Sequence, residues 1–398
     1  MQESSTNHDG RRVELKRTRE NCASLPCSRT YFVSGFDPRG ANHYLALFQK
    51  ELQARGASTG KRITNGLITR WPIKKKTGNE KTQEVETLHQ SELCFLHWDD
   101  IARANWPKQP LEILKQCMSY ASFYLFRGWV FRIAKLCPGV ALCGAYPLLF
   151  LLIALCFATI TATLSIELFE IFSIPAGKYL ISLTLWFSTL FAAWKLAEAL
   201  GVIWLTRSIL FTHRLGQAKE KDLRQRVCDL AVLLINLEEK EPAERIIIIG
   251  HSSGSFVAAM LAAELKRQDN SANLLSRIEL LTLGQNLTNL SIYPEAKSFR
   301  DDLKFLAEQP RFPWRDVTSQ EDLLCFAGVN PFITCGIAIP KGSLYPKMEI
   351  ISLSLPRKGR KQKRILLDQF DIHFDYLRNH CPDVDLPGLL TKPLSREY

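Results

Sequence analysis

The segment RIIIIGHSSGSFVAAMLAAEL, Arg245–Leu265, decides how the rest of the chain is read. Arg245–Gly250 is a continuous β-branched run, the mark of a strand buried on both faces of a parallel sheet. Ser253–Lys266 is rich in Ala and Leu and reads as a helix. Between them stands Gly250-His251-Ser252-Ser253-Gly254-Ser255. A strand that turns into a helix through Gly-x-Ser-x-Gly has the parts of a nucleophile elbow. Gly250 and Gly254 remove side chains where two backbones crowd together, and Ser252 is forced into a strained turn at the carboxyl edge of the sheet. The bland alternative is a glycine-rich turn with no chemistry.

Reading outward, Thr30–Gly35 (TYFVSG) fits a buried strand, followed by the loop FDPRGAN and helical spacing over His43–Arg55. Ile63–Trp71 alternates like a strand, Trp71–Gln90 is a polar excursion, and Glu92–Trp98 (ELCFLHW) is another strand closing on Asp99–Asp100. Downstream come an amphipathic helix at Gly216–Glu239, a strand at Arg277–Leu283, and a helix near Tyr293–Glu308. Strands near Arg315–Val317 and Glu349–Leu355 and a helix at Leu366–Asn379 follow. Such alternation predicts an α/β fold, a mostly parallel sheet with helices on both faces.

One block interrupts it. Leu136–Ile166 holds no Asp, Glu, Lys or Arg, and Pro138–Leu164 is long enough to cross a hydrocarbon core that needs about 20 apolar residues. After Glu167, Glu170 and Lys178, a second apolar run spans Tyr179–Leu205, with Lys195 and Glu198 on one helix face. The two runs predict a transmembrane hairpin. Just before it, Leu111–Lys135 mixes aromatics with Arg127, Arg132 and Lys135, which suits the water–bilayer interface; the alternative is a core helix. Arg127, Arg132, Lys135, Arg207 and Arg214 flank the outer ends of the hairpin, so the positive-inside rule puts the soluble parts in the cytoplasm. The expected organisation is a disordered tail over 1–28, a first α/β portion over 29–110, an interfacial helix over 111–135, the hairpin over 136–206, and a second α/β portion over 207–398.

Composition sets the outer bounds. With 46% hydrophobic and 23% charged residues in 398, wholesale disorder and collagen-like repeats are excluded. The net charge of +11 asks for an anionic partner, and the apolar block makes that partner the bilayer. Eleven scattered cysteines form no CxxC pair and no zinc-spaced cluster, so free thiols in a reducing compartment are expected, with no metal. Met1–Ser28 lacks the apolar core of a secretory signal. The basic run Arg357–Arg364 reads as a solvated loop or a contact with an anionic leaflet; no stacking platform accompanies it, so no nucleic acid is expected.

Through RIIIIGHSSGSFVAAMLAAEL and the order of elements around it, the chain resembles the α/β-hydrolase superfamily. The loop YFVSGFDPRGANHY is similar to the oxyanion loop of its membrane-associated bacterial lipase- and esterase-like serine hydrolases, which implies a bacterial inner membrane. The likeness covers 30–100 and 216–379. It implies a serine nucleophile, then an acid, then a histidine along the chain. Ser252 is the nucleophile, and that order leaves His373 and His380 as bases, with His373 preferred. Asp322 is preferred as the acid, past the end of a strand, with Asp316 second. Oxyanion donors would be the backbone of Ser253 and of Phe36 or Asp37, although Asp37-Pro38-Arg39-Gly40 could equally be a type I turn.

The implied activity is hydrolysis of a lipid-like or amphiphilic ester through an acyl-enzyme, without a cofactor. Alternatives are a thioesterase or peptidase with the same triad, or an inactive membrane-anchored interaction protein. Because the hairpin interrupts the connection leaving the strand Glu92–Trp98, it is expected to emerge on the catalytic side of the sheet.

Overall fold

The computed structural model describes residues 28–75, 91–172, 177–268, 274, 276–309, 312–338, 346–353 and 368–378. Nine strands form one sheet: β1 (Ser28–Val33), β2 (Ala57–Thr59), β3 (Ile63–Asn65), β4 (Ile68–Lys75), β5 (Ser91–Leu96), β6 (Arg245–His251), β7 (Ile278–Leu283), β8 (Trp314–Thr318) and β9 (Lys347–Ile350). Their spatial order is β2-β4-β5-β1-β6-β7-β8-β9, with β3 on β4. The six strands from β5 to β9 run parallel, and β2, β3 and β4 make an antiparallel edge. The fold is therefore α/β with a mostly parallel, mixed sheet.

The helices are α1 (Ala41–Gln53), α2 (Asp99–Ala104), α3 (Pro110–Ala121), α4 (Trp129–Leu136), α5 (Pro138–Ile171), α6 (Lys178–Ala199), α7 (Val202–Gly216) and α8 (Asp222–Lys240). They continue with α9 (Gly254–Gln268), α10 (Leu287–Ser291), α11 (Lys297–Ala307), α12 (Pro331–Thr334) and α13 (Gln369–His373). β6 lies at the centre of the sheet. Ile246, Ile247, Ile248 and Ile249 are all buried there, alternate members facing the two opposite cores. Truncating any one to Ala would cost about 2–5 kcal/mol.

Several expected elements are shorter or divided, each for a local reason. The strand Ile63–Trp71 is a hairpin of β3 and β4, because Gly66 takes φ 55 between Asn65 and its partner Ile68. The helix expected near Tyr293–Glu308 is α11, which starts only at Lys297, past Pro294, and a short α10 precedes it. The helix Leu111–Lys135 divides into α3, a π-helical turn at Ser122–Phe126, and α4, with Gly128 at φ 72 making the break. It also serves two environments. Tyr120, Phe123, Tyr124 and Ile133 are buried in the main core, while Leu111, Met118, Phe126 and Phe131 stand exposed.

The tail prediction fails at its last residue, since Ser28 opens β1; residues 1–27 lie outside the described part, as do 76–90 and the basic run 357–364. The eight described cysteines are free thiols.

Two helices are long and apolar enough to cross a membrane: α5, with a mean hydropathy of 2.5, and α6, with 1.4. Only 17% and 11% of those windows are buried, so neither is the core helix of a soluble domain. At 1.5 Å per residue, the 34 residues of α5 extend about 50 Å, well beyond the roughly 30 Å hydrocarbon thickness. The surplus lies at its start, where Val140, Ala141, Gly144 and Pro147 are buried. Against α6 the helix makes a polar seam, with Ser165 Oγ 2.6 Å from Ser182 Oγ. The second apolar run ends earlier than Leu205. α6 stops at Ala199, Gly201 adopts φ 72, and Val202 begins α7. A side chain at Gly201 would collide with Phe370 of α13.

Candidate active site

The turn between β6 and α9 holds Ser252 at φ 57, a left-handed conformation that L residues avoid. Three glycines make it possible. A Cβ on Gly250 would lie 2.6 Å from Gly254 O and 2.7 Å from Ala258 Cβ. One on Gly254 would strike the carbonyls of Val33 and Ser34, and one on Gly35 would come 3.0 Å from Ser252 Cβ. The third close approach, across to β1, fixes the serine against the loop after that strand. Ser255 closes the turn, its Oγ donating to Ser252 O at 2.6 Å and accepting from Asn286 N at 3.0 Å.

His373 ends α13 and is buried. The expected helix Leu366–Asn379 is thus a five-residue α-helix followed by a 3-10 turn at Asp375–Leu377, and the histidine falls at their junction. Its Nδ1 donates to Asp322 Oδ2 at 2.7 Å, and Asp322 is buried as well. Leu324 N donates to the other carboxylate oxygen at 3.0 Å. Gln369 fastens the two segments together, accepting from Leu323 N at 2.7 Å and donating to Glu321 O at 3.0 Å. Of the two candidate acids, Asp322 is therefore the one brought to the imidazole.

Asp316 is not. It lies in β8, where its Oδ1 accepts from Thr282 Oγ1 of the neighbouring strand and its Oδ2 has no partner among the described residues. Burial pushes its carboxyl up to about 7, against the pull of the Thr282 hydroxyl. His380 lies outside the described residues.

Ser252 and His373 line one cavity of about 80 Å³, together with Gly35, Phe36, Asp37 and Ser253. No hydrogen bond joins the serine to the imidazole among the described residues; instead Asn286 Nδ2 donates to Ser252 Oγ at 3.4 Å. Such contacts are commonly loose before substrate binds. Among the described residues no backbone acceptor meets the N–H groups of Ser253 or Phe36. Pro38 and Arg39 form a turn between Asp37 and Gly40, so the turn reading of this loop stands beside its place at the cavity wall. Asp37 accepts from Arg39 N at 3.0 Å through its own side chain, and the same carboxylate holds the Arg39 guanidinium at 2.6 Å and the Tyr44 hydroxyl at 3.1 Å. Arg39 in turn stacks over Trp204 and Phe374.

The far wall of the cavity comes from the long apolar helices and their exit. Val140, Cys143 and Gly144 of α5 line it, as do Trp204, Leu205 and Ile209 of α7. The hairpin therefore leaves the sheet on the side where Ser252 lies, as its point of insertion predicted.

Two polar groups escaped the sequence reading. His251, within the elbow, donates through Nε2 to the His373 carbonyl at 2.9 Å and so fixes the His373 segment from behind. Burial, reinforced by nearby His373, lowers its pKa to about 3, so it stays neutral. Asn286 had one legible signal, a position just past the carboxyl end of a buried strand. Comparison of the chain with family models, with curated proteins and with solved structures finds no match.

Proposed function

We propose that this chain is a membrane-anchored serine hydrolase that cleaves a lipid-like or amphiphilic ester. The observation that carries the reading is the strained Ser252 turn facing a cavity it shares with a buried, carboxylate-bound histidine. Ser252 Oγ attacks the acyl carbonyl while His373 Nε2 takes its proton. Asp322, holding Nδ1–H, keeps the opposite nitrogen free to accept that proton and stabilises the imidazolium. Charge on the carbonyl oxygen is met by the N–H groups of Ser253 and of Phe36 or Asp37, at the positive end of α9. The alcohol leaves with the proton from His373, and water releases the acyl group by the same steps reversed.

The substrate class follows from the walls. Val140, Leu205, Ile209, Phe370 and Phe374 give the cavity apolar sides, and one of those sides is the start of a bilayer-length helix. A cavity of about 80 Å³ is smaller than the roughly 300 Å³ of a ligand pocket, so a long acyl chain must part α5 from α7 or lie between them. Positive charge at the outer ends of the hairpin supports a cytoplasmic position for the catalytic part.

Fluorophosphonate labelling of the detergent-solubilised full chain tests the reading. Labelling should occur, disappear in Ser252→Ala, and be accompanied by turnover of p-nitrophenyl esters that rises with chain length. Well-folded protein that takes no label would instead be an inactive anchored scaffold.

A further inference from the structure

A groove of about 510 Å³ lies outside the Ser252 cavity, where α4 hands over to α5. Trp129, Arg132, Lys135 and Leu136 of α4 form one wall, and Arg300 of α11 and Ile333 of α12 stand opposite. Arg132 and Lys135 are exposed, and neither meets a carboxylate among the described residues. The Arg132 guanidinium lies 4.7 Å from the centre of the Trp129 ring. Arg300 is oriented by two neutral acceptors, the carbonyls of Ser291 at 2.6 Å and Cys335 at 2.8 Å. Beside these cations the surface is apolar: Leu136, Phe131 and Ile333 are 42%, 70% and 66% exposed.

Water favours the cations and rejects the apolar rim; hydrocarbon does the reverse. Both are accommodated only where lipid phosphates meet the first methylenes. The groove adjoins the start of the first bilayer-length helix, since α4 ends at Leu136 and α5 begins at Pro138. We propose that it binds the headgroup of an anionic phospholipid, with the phosphate among Arg132, Lys135 and Arg300 and an acyl chain along Leu136 and Ile333. This rests on the membrane anchoring proposed above, and is independent of the hydrolase chemistry.

Calorimetric titration of the full chain in neutral detergent distinguishes the ligands. Dioctanoyl phosphatidylglycerol should bind about tenfold more tightly than dioctanoyl phosphatidylcholine, and inorganic phosphate should not displace it. The double variant Arg132→Gln/Lys135→Gln should weaken binding about 30-fold, the effect of two basic contacts. Lys115→Gln, an exposed charge of α3 outside the groove, should leave it unchanged. Equal binding of the zwitterionic lipid, full displacement by phosphate, an unaffected double variant, or an equal loss in Lys115→Gln would each overturn the site. Co-flotation with neutral vesicles reads the anchoring separately. A chain that floats without preferring the anionic lipid loses the groove alone, whereas one that does not float loses the anchoring and the groove with it.

Discussion

Among the described residues two imidazoles each hold a carboxylate and lie near a hydroxyl, and their surroundings differ. His373 holds Asp322 at 2.7 Å and faces a cavity with Ser252. His97 holds Asp99 at 2.9 Å and, on its other nitrogen, meets Thr69 Oγ1 at 2.7 Å. By hydrogen bonding alone the second trio is the better formed, because its imidazole reaches the hydroxyl. Yet Thr69 is fully buried within β4, in paired strand conformation. Asp99 is further occupied by Arg103. That trio ties β4 to β5 and α2. A connected hydroxyl, imidazole and carboxylate therefore do not suffice; the hydroxyl must also be reachable, and N–H groups must await the charge that develops.

Substitutions at the two histidines should separate these roles most sharply. His373→Gln is expected to reduce kcat about a million-fold with the fold intact, as loss of a triad base does. His97→Gln should leave kcat unchanged and lower stability by about 1 kcal/mol, one buried hydrogen bond. Ester turnover and thermal melting of both variants in detergent provide the check, and a large loss of turnover in His97→Gln would reverse the assignment. A smaller effect is expected from Gly35→Ala. Its new methyl would press on Ser252 Cβ, and displacement of the nucleophile should lower kcat about 100-fold. A neutral outcome in the same assay would mean that the serine does not depend on β1 for its position.

Acid should weaken the two regions over different ranges. His251, lowered to about 3, and His213, lowered to about 4 by burial, are neutral in the fold. Unfolded histidine takes up a proton below roughly pH 6.5, so the unfolded state binds more protons and stability falls as pH drops from there. Each contributes at most about 1.4 kcal/mol per pH unit. Asp99 resists burial through its bonds to His97 and Arg103 and is held below the usual carboxylate range. Its contribution is complete above roughly pH 4 and is lost only as pH falls further, through the depressed folded value. Melting temperatures at pH 7.5 and 5.5 should thus decline for the parent, decline less for His251→Gln, and decline equally for Asp99→Asn. An unchanged slope in His251→Gln would show that this imidazole is protonated in the fold.

The Ser252 turn was legible because its constraint is local: the β-branched run, the small residues and the following helix occupy consecutive positions. The two apolar runs were legible for a similar reason, since length and hydropathy are properties of a single segment. Breaks within segments were harder. Gly66, Gly128 and Gly201 carry positive φ, but glycine in a sequence does not announce which conformation it adopts. Asp322 and Asp316 are six residues apart and chemically identical, and their choice depended on where β8 ends, with Asp316 inside the strand and Asp322 in the loop beyond it. His251 and Asn286 act through partners 122 and 34 residues away.

Composition and short-range pattern by themselves determined an α/β chain, a serine at a strand-to-helix turn, and two helices with nowhere to go in water. Tertiary structure decided which acid serves the imidazole, and that Val140 and Trp204 wall the same cavity as Ser252. The physical reason is one of range. Backbone sterics and hydrophobic length act between neighbours, whereas a hydrogen bond of 2.7 Å between residues 51 apart exists only once the sheet has brought β8 and α13 together.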